Sequence, residues 1–100
     1  MQPVPLTLVT IIAEHVLKEK LLFELRQIGV SGYTTSEVEG RGSRGVRASE
    51  WQGSNVKIET LVSVEKSERI LEMVSREYFA HYAVIVYRVP VEALRAEKFA

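Results

Sequence analysis

The sequence predicts an α+β fold, a two-layer sandwich of β-α-β-β-α-β order, and three observations predict it. At four places apolar residues either alternate with polar ones or run together with β-branched enrichment, as strands do. Two stretches between them carry apolar residues every three or four positions, the period of an amphipathic helix. One long interval rich in glycine and polar residues divides this pattern into two β-α-β halves. One hundred residues with 46% hydrophobic content suit a single domain over residues 1–100, large enough for a real core and small enough for association to help bury surface.

Pro3 and Pro5 form a stiff extended lead into a first strand, Leu6 to Ile12, whose β-branched and nearly continuous apolar character suits a central position. A helix is expected from about His15 to Ile28, with Leu17, Leu21, Leu25 and Ile28 on its buried side and Gly29 as its C′ residue. Tyr33 to Val38 is polar but β-prone, a strand at an edge or with one face to the core. Residues 39–54 hold four of the six glycines and no sustained period, which makes them a long loop. Val56, Ile58, Thr60, Val62 and Val64 then alternate with Lys57, Glu59, Leu61 and Ser63 as a third strand with one clearly apolar face. Ser67 is the expected N-cap of a second helix whose stripe is Ile70, Leu71, Val74 and Tyr78. The apolar run Ala83 to Val89 reads as an interior fourth strand stopped by Pro90.

This order is the ferredoxin-like βαββαβ sandwich, two helices on one face of a four-stranded antiparallel sheet. The other face is left bare. It carries enough aliphatic side chains that a second subunit is expected to cover it.

Composition narrows the function classes. Thirteen basic residues balance thirteen acidic ones, so no global field draws the chain to nucleic acid or a membrane and any anion site must be local. Absence of cysteine removes disulfides, thiol catalysis and zinc-thiolate sites, and points to the cytosol. No secretory leader opens the sequence, and no apolar run reaches the ~18 residues a membrane span needs.

Within the long loop, Gly40-Arg41-Gly42-Ser43-Arg44-Gly45-Val46-Arg47 gathers three glycines, three arginines and a hydroxyl. Glycine lets backbone N–H groups converge on one point, and guanidinium offers planar donors matched to phosphate or carboxylate. Either an anion cradle or a merely solvated loop has this composition. It is neither a Walker A loop nor a dinucleotide fingerprint. A compact domain that spends so many residues where a short turn would do favours the functional reading.

These residues also carry a resemblance. The element order, Gly32-Tyr33-Thr34, the Gly42-Ser43-Arg44 and Arg47 motif, and Tyr78-Phe79 followed by Tyr82-Ala83 resemble the PII-like signalling proteins, and within them the carbon-regulatory branch that partners the cyanobacterial sodium-dependent bicarbonate transporter. The resemblance implies a PII-like trimer with sheets facing inward and AMP, cyclic AMP, ADP or ATP as regulatory ligand in inter-subunit clefts, with no permanently bound cofactor. It assigns Gly42, Ser43, Arg44 and Arg47 to the phosphates and Tyr33 and Thr34 to the strand bordering the nucleotide pocket. It further implies a non-enzymatic regulator whose long T-loop, around Trp51, docks on the transporter and places the protein at the membrane periphery. Val84 departs from the family, which commonly has glycine there; the loop after Arg47 is short, and the cysteine-bearing C-terminal extension of some members is missing.

The remaining conspicuous residues read more plainly. His15 and His81 have no ligand set at metal spacing, and Glu37 and Glu39 are two carboxylates on one solvated strand face. Trp51 is either a partner hook or an anchor folded back on the loop. The alternative function, a nucleotide-hydrolysing enzyme of the same fold, lacks an evident general base beside the arginines. RNA binding on the open sheet lacks paired aromatics on the central strands.

Overall fold

The computed structural model describes residues 2–40 and 54–95. Its elements are β1 (Val4–Glu14), a 3-10 turn (His15–Leu17), α1 (Lys18–Ile28), β2 (Thr34–Val38), β3 (Asn55–Val62), α2 (Val64–Tyr78) and β4 (Ile85–Ala93). The four strands form one antiparallel sheet in the order β2-β3-β1-β4. This is the expected βαββαβ sandwich, with β1 and β3 central and β2 and β4 at the edges.

The registers assign every side chain to a face. Val9, Ile11 and Ala13 of β1 lie opposite Thr60, Ile58 and Val56 of β3, and Ile11 also lies opposite Val86 of β4. That face meets Leu17, Leu21 and Leu25 from the first helical segment and Ile70, Met73, Val74 and Tyr78 from α2 in one buried cluster. Each fully buried aliphatic side chain contributes about 1.5–3 kcal/mol through the hydrophobic effect, so this layer holds the fold together. The opposite face presents Leu8 and Leu61 as a cross-strand pair, with Ile12, Ile85, Tyr87 and Val89 beside them. Ile85, Tyr87 and Val89 are 55%, 44% and 43% exposed, which makes this face the bare one.

Helix ends follow local chemistry. Gly29 has φ 106°, its N–H donates to Arg26 O, and Val30 N donates to Leu25 O while the Val30 side chain joins the core. This is a Schellman stop, and it confirms Gly29 as the C′ residue. Lys66 Nζ adds a hydrogen bond to Gly29 O at 3.0 Å, satisfying a carbonyl at the helix end.

Four expectations need correction. Ser63, not Ser67, caps α2: its backbone is extended and its Oγ accepts from Lys66 N at 3.2 Å. Ser67 lies one turn inside, fully buried, donating from Oγ to Val64 O. Val64 accordingly begins the helix and is exposed rather than ending the strand. The segment from His15 starts as a 3-10 turn before becoming α-helical at Lys18. Finally, β4 is an edge strand and runs through Pro90 to Ala93. Its continuous apolarity reflects one face on the core and one on the uncovered side, not an interior position, and an edge tolerates proline because only one side of the strand is paired.

Candidate functional site

The uncovered sheet face holds a concavity of about 440 Å³ lined by Leu8, Gly32, Tyr33, Thr34, Glu59, Thr60 and Leu61. Its floor is set by register. Leu8 and Leu61 are opposite each other, and Thr34 is opposite Glu59, so an apolar pair and a polar pair adjoin on one face. Its rim is the short segment from Gly29 to Thr34, held by the Schellman turn at one end and by Thr60 Oγ1 donating to Gly32 O at the other. That bond explains why a threonine belongs in the apolar row of β3: its hydroxyl satisfies a carbonyl of the connecting segment while its methyl stays with the core.

Two of the predicted site residues, Tyr33 and Thr34, therefore line the same concavity. Tyr33 is 42% exposed, and its ring is a candidate surface for stacking. Glu59 was not anticipated, because in a period-2 strand it reads as an ordinary solvent-facing charge. Its pairing with Thr34, visible only through the β2–β3 register, turns it into the carboxylate of the concavity. A carboxylate beside a ring and a hydroxyl can accept from sugar hydroxyls or an exocyclic amine, while Leu8 and Leu61 offer surface to an apolar ring.

Gly42, Ser43, Arg44, Arg47 and Trp51 lie outside the described residues. What the structure fixes is the root from which their loop departs, where Val38 pairs with Asn55. This root and the concavity lie at opposite ends of β2, about 13 Å apart at ~3.3 Å per strand residue. The root end also carries Glu14, His15 and the entry to β4, since Ile12 pairs with Ile85. There His15 Nδ1 stands 3.0 Å from Glu37 Oε2, so the pair that the sequence left as isolated polar residues is in contact.

Among the described residues no three histidine, aspartate or glutamate side chains converge as metal ligands. Among the same residues no helix is long and apolar enough to cross a membrane.

The chain matches the family described as nitrogen regulatory protein P-II over residues 6–98. Among solved structures it is similar to a PII-like signalling protein from Thermus thermophilus, with 47% identity, all of both chains covered and a TM-score of 0.87. It is also similar to CPII from Thiomonas intermedia bound to ADP and bicarbonate, with 27% identity over 99% of this chain and 98% of that one and a TM-score of 0.85. A second form of that protein, bound to ADP, AMP and acetate, gives 25% identity over 99% and 98% of the two chains and a TM-score of 0.84.

Proposed function

The chain belongs to the nitrogen regulatory protein P-II family, and from that premise we propose that it is an adenine-nucleotide-sensing regulator that works as a homotrimer through residues 1–100. The observation that carries this reading is the placement of Tyr33 and Thr34 with Glu59 around a concavity on the uncovered sheet face. The base and ribose of AMP, cyclic AMP, ADP or ATP suit that lining of ring, hydroxyl, carboxylate and leucine pair. The phosphates go to Gly42, Ser43, Arg44 and Arg47, whose composition suits an anion cradle.

In one protomer the concavity and the loop root stand at opposite ends of β2. Packing the bare faces of neighbouring subunits together sets the concavity of one against the loop root of the next, which gives the cleft both halves. It also covers Ile85, Tyr87 and Val89, whose exposure is hard to reconcile with a monomer.

The output in this reading is the loop. Different nucleotides contact the cradle differently, and a ligand shifts conformational populations only as far as its affinity differs between them. One population presents Trp51 and its neighbours to a membrane bicarbonate transporter and inhibits uptake, which makes the regulator a peripheral membrane protein when docked. CPII of Thiomonas intermedia holds bicarbonate together with ADP, and we carry that pairing over as a carbon input at the same trimer. Hydrolysis is the weaker reading, because Glu59 is the single carboxylate among the described lining residues and no histidine is among them.

Calorimetric titration with AMP, cyclic AMP, ADP and ATP, each with and without bicarbonate, tests the sensor. Binding of at least one nucleotide is expected, and failure of all four overturns the proposal. Deleting residues 50–54 should leave nucleotide binding intact and abolish transporter capture. Retained capture would move the docking surface elsewhere.

A further inference from the structure

We infer that the corner Glu14–His15 is a two-sided tie that positions the loop-side end of β2 relative to the entry of β4. Two consecutive side chains at the end of β1 reach in opposite directions across the sheet. His15 contacts Glu37, the next-to-last residue of β2, with Nδ1 and Oε2 3.0 Å apart. Glu14 Oε2 accepts from Ala83 N at 3.4 Å, at the start of the segment leading into β4.

The contact with Glu37 matters because β2 is otherwise weakly held. It is a five-residue edge strand, none of its side chains is fully buried, and it pairs with β3 alone. Its last pair, Val38 with Asn55, is the point from which residues 39–54 depart. A strand end with so little buried surface opens easily, and one additional contact shifts that equilibrium measurably. His15 and Glu37 are positioning residues in this proposal. Neither lines the concavity.

The strand-end anchoring stands on the geometry alone; its consequence for ligand binding rests on the nucleotide-sensing reading. On that reading the ligand bridges the loop and the concavity, so releasing the strand end from which the loop departs should weaken its binding.

The test is amide hydrogen exchange on the full chain without ligand, in wild type, His15→Ala, Glu37→Ala and the double variant, with AMP affinity measured in parallel. Both side chains are half-exposed, so thermal midpoints should hardly move. Exchange at Val38–Gly40 is expected to quicken about two- to five-fold in each single variant, the range for an exposed polar side-chain pair. The double variant should be no faster than either single one, and the swapped pair His15→Glu with Glu37→His should restore protection. AMP affinity should fall by a similar factor. Unchanged exchange, or effects that simply add, overturns the tie. Quickened exchange with unchanged AMP affinity overturns its role in binding. A wild type that binds no AMP overturns the AMP arm alone, and the exchange result still decides the anchoring.

Discussion

Arg88 on β4 donates from Nη1 to Ser67 Oγ on α2 at 2.8 Å, with Glu68 Oε2 a further 3.9 Å contact. The bond crosses from an edge strand to a fully buried serine one turn inside the helix, and it gives that serine a different role from capping. Its oxygen accepts the guanidinium while its proton goes back to Val64 O. Ser67→Ala removes both bonds, one of them to a charged guanidinium, which should cost about 1–3 kcal/mol. Ser63→Ala removes the cap and should cost about 1 kcal/mol. Urea denaturation of the two variants separates these roles; a Ser67→Ala variant as stable as wild type would show the Arg88 bond contributes nothing.

The two sides of the sheet should respond oppositely to charge. Ile58 is 1% exposed and faces the helices, so Ile58→Asp should unfold the chain. Val89, on the bare side, should accept Val89→Asp with its fold intact and its association lost. Sedimentation checks this. The wild type is expected at three times the 11.3 kDa chain mass, and a monomeric wild type would refute the trimer.

Tyr78 is fully buried, with Lys20 Nζ 5.4 Å from its ring centroid, yet among the described residues its hydroxyl has no hydrogen-bond partner. Tyr78→Phe keeps the packing and removes a desolvated polar atom, so it should raise stability by about 1 kcal/mol. A loss of that size would place a bridging water on the hydroxyl.

Burial, aided by Glu24 and Glu77, pushes the Tyr78 phenol up from 10.0 to about 12. Below pH 10 the phenol is protonated folded and unfolded alike, so its contribution is fully present. Between pH 10 and 12 only the unfolded chain releases the proton, and stability falls by up to roughly 2–3 kcal/mol. Denaturant midpoints across that window should drop less steeply in Tyr78→Phe than in wild type.

If Arg47 holds phosphate, Arg47→Ala should weaken nucleotide binding by about 1.5–3 kcal/mol, the range for a hydrogen bond to a charged group, without changing ligand-free stability. Arg47→Lys should recover only part of that loss, because an ammonium lacks the planar fork. Titration calorimetry measures both, and equal affinity with lysine would exclude bidentate contact.

The elements were legible in the sequence wherever periodicity met a strong terminator. Gly29 ended α1 because only an αL residue completes the Schellman turn. The β3 row from Val56 to Val62 was readable because one face is buried at each second residue. Failures came where two signals compete locally. Ser63 and Ser67 are four residues apart and equally suited to capping, and only the chain's exit from β3 decides between them. An apolar run reads alike for an interior strand and for an edge strand with an uncovered side, which hid the true place of β4. At the concavity, Tyr33 and Thr34 came from a motif, whereas Glu59 and the His15–Glu37 contact depend on register across 25 and 22 positions of sequence, which no local pattern encodes.

Pro90, which the sequence suggested as a strand stop, sits instead in the pairing with β1, opposite Thr7. Its ring nitrogen carries no hydrogen, and because pairing with β1 continues on both sides of it, the missing donor falls on the outer edge. A strand arriving from another copy would find that edge unable to complete a ladder. An edge strand with one uncovered apolar face is thereby kept from acting as a template for fibrous aggregation while it waits for its proper neighbours.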